Sequence, residues 1–514
     1  MLSAPPPPSD RRVFFGLFAW AFLLYALTSS GRLHTVDEYE AYYMTESLVE
    51  RGDLAIPAAQ GFFGRKADDG RFYAPYGPLP AFVAAPGYLA GRSVASALSL
   101  PPKQSETLRW SLTSQTNAIV SALSVALLFA LARRLGARSG LAIVAALIYA
   151  LATPAWHYAT TFFSEPLSAA LLLAATIAWI DIARAEHPRA WSVAIAGLPL
   201  ALMALVRLTN ALLFPIPALA VLALSHGRIS ARIARSALYC AAPLVAIAAY
   251  LVWNHVRFGN PLEPGYPSSV EGRTIDTFYG EPFLRGLYGM TLSPGKGLFL
   301  FAPVVVAGLF AIPRVRERCG VAALFVIAMP LVPLAFFANF IYWEGGYSWG
   351  PRYLLPSIAL WVLPLAFVES PGRPFRVVTR AAAATGFAVQ LLGISVSFLE
   401  CQVARGYYTS EFRYDLDYSA LPATWDVFSK YAATLGSSAF LAEKQGLGFD
   451  RWFFFLAKDG FPPAVVYGVA GVLAIGLAAS SVVVARWLRR SPSERPIPST
   501  EAAPERAART ALTR

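Results

Sequence analysis

Charge is what this sequence has least of. Only 14% of its 514 residues are charged and 56% are hydrophobic, whereas a soluble domain carries about 25% charged side chains. The deficit excludes an ordinary water-soluble globule and points to lipid as the main solvent. Cysteine is also sparse. Cys240, Cys319 and Cys401 show no CxxC or other metal-like spacing, so neither a disulfide framework nor a zinc site is indicated. No internal repeat is visible, which leaves a transporter built from inverted halves with little support. Ionisable residues are rare in the middle of the apolar runs, where a transporter or lipid flippase would need them.

What is present is a series of apolar runs, several near the ~20 residues needed to span a bilayer. They cover 13–30, 110–132, 139–156, 163–181, 191–206, 208–225, 236–253, 297–312, 320–341, 353–368, 381–399 and 462–487. Phe, Tyr and Trp make up 13% of the chain, and many sit at the ends of these runs, as interfacial anchors do. The expected fold class is all-α and polytopic, with about 12 transmembrane helices. Residues 1–12, opening on MLSAPPPPSD, read as a disordered cytoplasmic N-terminus. The run 13–30 reads as an uncleaved first helix rather than a signal peptide.

Segment 79–98 is the ambiguous one. It holds Pro80, Pro86, Gly87, Gly91 and Arg92, a poor composition for a helix in lipid. Loop charge decides its placement. If it does not cross and the N-terminus is cytoplasmic, the cytoplasmic side holds 23 of the 43 Lys and Arg but only 8 of the 31 Asp and Glu. If it crosses, 21 of those 23 basic residues move outside. The positive-inside rule therefore makes 79–98 re-entrant or interfacial. The same loop residues account for the net charge of +12 without a nucleic-acid partner.

This topology gives a transmembrane core over 13–225 with a first outer loop at 31–109. Further helices follow over 226–399, with outer loops 254–296 and 342–352. An outer loop at 400–461, a last span at 462–487 and a basic cytoplasmic tail at 488–514 complete the chain. Within the first outer loop, HTVDEYEAYYMTESLVERGDL (34–54) places Tyr39, Tyr42, Tyr43, Leu48 and Val49 at roughly helical spacing. That pattern predicts an amphipathic helix on the membrane surface.

Candidate functional residues gather on the outer side. Asp37 and Glu38 open the surface helix. Acidic groups there stabilise a helix N-terminus, and a carboxylate in that place can also take a proton from an acceptor hydroxyl. Glu165, followed by Pro166, stands at the outer end of a span; it is either a helix start or a charge facing a cavity. His157 is a neighbouring hydrogen-bonding group. Arg207 interrupts the apolar stretch 191–225, as a snorkelling loop residue or as a phosphate ligand. SPGKGLFLFAP (293–303) sets Lys296 between glycines, which permit close backbone approach while Lys supplies a point charge for phosphate. It lacks the spacing of a nucleotide-binding P-loop. FIYWEGGYSWGPRYLLP (340–356) offers Trp343, Glu344, Trp349 and Arg352. This is either an interfacial aromatic belt, or rings that stack on a sugar beside an Arg that grips phosphate bidentately. Tyr73 and Tyr76 lie in GRFYAPYGPLPAFVAAPGY (70–88), whose Pro and Gly content suits irregular backbone at a cavity wall.

These motifs resemble the GT-C type integral-membrane glycosyltransferases, most nearly the bacterial members of the protein O-mannosyltransferase and lipid A aminoarabinose transferase superfamily. VDEYEAYYMTESLVERGDLAIP (36–57) is similar to that superfamily's Asp-Glu pair and surface helix. YAPYGPLPAFVAAPGY is similar to its Tyr–Pro–Gly-like stretch, with Gly77 and Pro78 in reversed order, and SEPL (164–167) to its second acidic position. The resemblance covers 13–225 as architecture. The SPGKGLF and GGYSWGPRYLLP stretches look like those of polyprenyl-phosphate-dependent members.

The resemblance implies a polyprenyl-phosphate sugar donor and an acceptor hydroxyl on a glycan, lipid or protein. It also implies inversion at the anomeric carbon, in a site that meets membrane lipid at the periplasmic face of a bacterial inner membrane. Asp37 is then the expected base, with Glu38 in support and Glu165 orienting a substrate. Arg352, Lys296 and Arg207 are the expected phosphate ligands, and Tyr73, Tyr76, His157, Trp343, Glu344 and Trp349 the expected substrate contacts. No cofactor and no metal is called for, because cationic side chains can stabilise a departing monophosphate. Loop 400–461 is expected to cap the site and select the acceptor. The rivals are a ligase or polymerase that moves a glycan from a pyrophosphate lipid, a transporter, and a structural assembly protein.

Overall fold

The computed structural model describes residues 8–58, 64–263, 265, 280–404, 413–434 and 449–490. The expectations for 1–7 and for 491–514 lie outside the described residues, as do parts of the outer loops 254–296 and 400–461. The chain is a largely α-helical, multi-pass membrane protein. Among the described residues six helices are long and apolar enough to cross a bilayer: Asp10–Thr28, Pro102–Arg134, Glu165–Arg184, Ile229–Phe258, Arg373–Ser395 and Pro463–Arg489. Shorter apolar helical stretches at Ser139–Ala152, Ala190–Val206, Leu208–Leu224, Val321–Phe337 and Arg352–Phe367 coincide with five more of the expected spans. The remaining one, 297–312, is not continuous. It is divided into Leu298–Phe301 and Val304–Cys319, because Pro303 has no amide to carry the first helix forward.

The part that positions the site lies in the first half of the chain. Helix α1 (Pro8–Thr28) leads through an irregular turn to α2 (Val36–Arg51), α3 (Leu79–Ala97), α4 (Pro102–Arg134), α5 (Ser139–Ala152), α6 (Ala155–Ala159) and α7 (Glu165–Arg184). Helix α2 falls where the tyrosine spacing predicted it. It ends at Gly52, whose left-handed backbone closes the last turn. Its tyrosine face packs inward: Tyr42, Tyr88 of α3 and Phe162 form one cluster, with Trp110 of α4 against it. Helix α3 coincides with the ambiguous segment 79–98. It is not among the helices long and apolar enough to cross, and it packs along α4 and α2.

One element departs from an all-α reading. Between α2 and α3 three two-residue strands, β1 (Ala55–Ile56), β2 (Arg65–Lys66) and β3 (Phe72–Tyr73), form an antiparallel sheet in the order β1-β3-β2. Tyr73 pairs with both Ala55 and Arg65. Strands this short carry no period-2 signal, so the sequence pattern could not announce them.

Candidate active site

The site is assembled at the start of α2. Glu38 accepts the Thr35 amide at 3.0 Å and the His34 amide with one oxygen, the reach-back contact of a helix N-terminus. Its other oxygen accepts the Phe162 amide at 2.7 Å. Glu38 is thus engaged by backbone groups and by the His34 ring, whose Nδ1 lies 3.5 Å away, and it fastens the first turn of α2 to the chain leading into α7. Asp37, one residue earlier, sits a third of a helical turn away and is left to meet other partners.

Those partners converge from three distant stretches. The Tyr76 hydroxyl donates to Asp37 Oδ1 at 2.6 Å, and the Arg352 guanidinium forms an ion pair with Asp37 Oδ2. Arg352 Nε also lies 3.7 Å from Glu165 Oε1, and Arg207 Nη1 lies 3.3 Å from the same oxygen. Two carboxylates therefore bracket two guanidiniums. Aromatic faces hold the cations flat: Arg352 lies over Phe163 and Tyr353, and Arg207 over Tyr353 and Tyr76. Burial alone would raise the Asp37 carboxyl, but Arg352, Arg207 and the Tyr76 hydroxyl hold it below the usual aspartate range.

Each of these groups has a local reason to be there. Arg257 at the end of the Ile229–Phe258 helix donates to the Ala74 carbonyl at 3.0 Å, fixing the strand exit that carries Tyr76. The Gly77 amide donates to the Val206 carbonyl, beside Arg207, and a Cβ at Gly77 would strike the Leu205 carbonyl. Arg352 follows the turn 345–350. Its stem lies against Gly345, which has a φ of +74° and no room for a side chain. Lys296 braces that turn from within, donating to the Ser348 carbonyl at 2.6 Å, the Ser348 hydroxyl at 2.8 Å and the Gly346 carbonyl at 3.1 Å.

Asp37, Tyr76 and Arg207 line a cleft of about 560 Å³, counted out to its open side. Most of its remaining wall is apolar, including Met44, Val83, Phe162 and Leu167. Asn117 also lines it and holds the Phe163 carbonyl at 2.8 Å. The cleft runs along α2 past Ala41 and Met44, one and two turns beyond Asp37.

The other expected site residues lie elsewhere. Lys296 is fully buried and does not line the cleft; its charge is engaged by the turn it braces. Trp343 and Trp349 each expose 0% of their surface, so neither ring presents a face to a sugar. Trp349 stacks on His157 and donates to Gln390, while Trp343 packs against Tyr414. His157 is buried with Nδ1 against the Gly393 carbonyl. Glu344 pairs with Arg413 at 3.3 Å, and the Tyr73 hydroxyl donates to Asp69 at 2.8 Å. These six are packed into core or loop contacts. The aromatic run reads the same whether its rings serve a core or a ligand, which is why composition alone favoured the ligand.

A second charged network was not anticipated. Arg32 Nε meets Asp450 at 2.7 Å and its Nη1 meets Glu400 at 3.1 Å. His34 Nε2 meets the other Asp450 oxygen at 2.7 Å. Burial would lower His34, but Asp450 and Glu38 raise it to about 9, and Arg32 and His34 hold Asp450 below its ordinary range despite burial. His34 was visible three residues before Asp37. Its partner, more than 400 residues away, was not.

Residues 111–253 match the family of dolichyl-phosphate-mannose-protein mannosyltransferases. The matched stretch includes Glu165 and Arg207, whereas Asp37, Tyr76 and Arg352 lie outside it. No curated protein matches the chain in sequence. Among solved structures, the chain is similar to ArnT from Cupriavidus metallidurans bound to undecaprenyl phosphate, at 14% identity and a TM-score of 0.48 over 93% of this chain and 77% of that one. The apo form of the same protein gives 14% identity and a TM-score of 0.47 over 93% and 76%. The oligosaccharyltransferase of Archaeoglobus fulgidus, tethered to an acceptor peptide, gives 11% identity and 0.40 over 88% and 59%.

Proposed function

We propose that this protein is a membrane glycosyltransferase. It moves a sugar from a polyprenyl-phosphate donor to an acceptor hydroxyl, with inversion, on the periplasmic side of a bacterial inner membrane. The match over 111–253 supports the reaction class. The observation that carries the reading is the contact of Asp37 with Tyr76 and Arg352, at a mostly apolar cleft that Asp37, Tyr76 and Arg207 line. The apolar wall suits an isoprenoid chain, and the guanidiniums suit a phosphate.

In this reading the acceptor oxygen attacks the anomeric carbon, the bond from that carbon to the phosphate oxygen breaks, and the acceptor proton passes to Asp37. The leaving group is polyprenyl phosphate, its new negative charge met by Arg207 and Arg352. Preorganised cations of this kind are commonly worth about 3 kcal/mol of barrier each. Glu38 supports Asp37 through the backbone. The segment around Asp450 fits a role in closing the acceptor side, because the Trp452 amide donates to the Ser29 carbonyl at the end of α1 and Asp450 meets His34 just before α2. The test is to supply purified protein with a polyprenyl-phosphate sugar and acceptors, and to weigh the product. Addition of one sugar supports the reading. Addition of a preassembled glycan from a pyrophosphate lipid, with no use of the monophosphate donor, overturns it.

A further inference from the structure

The charge balance of the site carries a consequence for what it binds and releases. Asp37 and Glu165 carry two negative charges, and Arg207 and Arg352 two positive ones. Glu165 is 3% exposed, and neither of its carboxylate oxygens has a hydrogen-bond donor. Its charge partners are the same two guanidiniums, at 3.3 and 3.7 Å. It does not line the cleft, although Ser164 and Arg207 on either side of it do. A buried carboxylate without hydrogen bonds costs stability, and a helix start alone does not need one. Here its effect is to cancel cationic charge that a phosphate would otherwise feel in full.

We infer that Glu165 is a positioning residue that tunes the site to a singly charged phosphodiester and against a doubly charged phosphate. The inference rests on the glycosyltransferase reading and deepens it. A polyprenyl-phosphate sugar carries one negative charge. After transfer, the polyprenyl phosphate left behind is a monoester whose second proton leaves near pH 6, so it carries close to two. A pyrophosphate-linked donor also carries two. Once Asp37 has passed on the proton it took from the acceptor, the four protein charges again sum to zero, and the extra charge of the product gains nothing while facing two carboxylates. The site therefore takes a monophosphate-linked donor, discriminates against a pyrophosphate-linked one, and expels its own product.

The experiment measures binding of two lipids to the full-length protein in nanodiscs at pH 8: polyprenyl phosphate, which is dianionic, and its methyl ester, which is monoanionic. Wild-type protein is expected to bind the ester at least as tightly as the phosphate. Glu165→Gln is expected to bind the phosphate about tenfold more tightly than wild type, with a smaller gain for the ester. Glu165→Asp should behave as wild type. A merely structural role would weaken binding of both lipids. Tighter binding of the phosphate than of the ester by about tenfold in wild type overturns the inference, and this comparison stands even if Glu165→Gln does not fold. No gain in a folded Glu165→Gln overturns it as well. If wild type binds neither lipid, the glycosyltransferase reading itself fails.

Discussion

At the scale of single residues, Asp37 holds the key position. Replacing it with Asn keeps its size and removes the proposed base. The transfer rate should fall about a thousandfold while the protein remains folded, and single-turnover kinetics with a labelled donor measure it. Tyr76→Phe tests the environment of the carboxylate. The Tyr76 hydroxyl bonds the charged form of Asp37 and helps hold it below its ordinary range. Losing that bond lets the Asp37 carboxyl rise, so the acidic limb of the pH–rate profile should move to higher pH. A limb that stays in place or moves down would show that Tyr76 does not act on Asp37. Individually, Asp37, Glu165, Arg207 and Arg352 were all legible in the sequence as ionisable groups at the ends of apolar runs. Their contacts were not, because Asp37 and Arg352 stand 315 positions apart and hydrophobic periodicity says nothing about which loops meet.

At the scale of elements, two braces hold the site. The first is Lys296 under the turn that carries Arg352. Lys296→Met leaves one hydroxyl and two carbonyl acceptors without their charged donor, at a cost of about 2–4 kcal/mol. Its melting temperature in detergent should drop, and transfer should weaken even though Lys296 does not line the cleft. Full activity in Lys296→Met would mean that the turn needs no such support. The sequence offered Lys296 as a phosphate ligand. It could not distinguish a cation that meets a ligand from one that meets carbonyls, since glycines flank both.

The second brace joins Asp450 to Arg32 and His34. His34 is raised from 6.5 to about 9 in the folded protein. Its contribution to stability is therefore complete below about pH 6.5 and is lost as pH rises through 9. Wild-type melting temperature should decline across that window, and Asp450→Asn should be less stable below it and show a shallower decline. An unchanged pH dependence in Asp450→Asn would dissociate His34 from Asp450. Helix α2 was legible from its acidic first turn and tyrosine spacing, and Glu38 at its start and Gly52 at its end act as helix-end chemistry expects. The clasp was not legible, because Asp450 lies in a stretch whose composition gives no hint of its partner.

At the scale of the whole molecule, the apolar runs made the helical, multi-pass character plain, and the long helices fall on them. The broken stretch at Pro303 and the small sheet before α3 escaped, one because a proline divides an otherwise apolar run and the other because two-residue strands are too short for a pattern. Orientation rests on loop charge. A cysteine placed at Asp68 should react with a membrane-impermeant reagent in intact cells, and one placed at Arg316 should not, in a background lacking the three native cysteines. The opposite labelling would invert the molecule and put the cleft on the wrong side for the proposed donor.

The joining of a carboxylate to two guanidiniums beside one mostly apolar cleft is best tested by chemistry. Purified protein and its Asp37→Asn variant are given a panel of polyprenyl-phosphate sugars with acceptor extract, and release of free polyprenyl phosphate is followed. At least one donor should be consumed by the wild type, with release about a thousandfold slower in the variant. Consumption at equal rates by both, or of no donor by the wild type, would contradict a glycosyl transfer driven by Asp37.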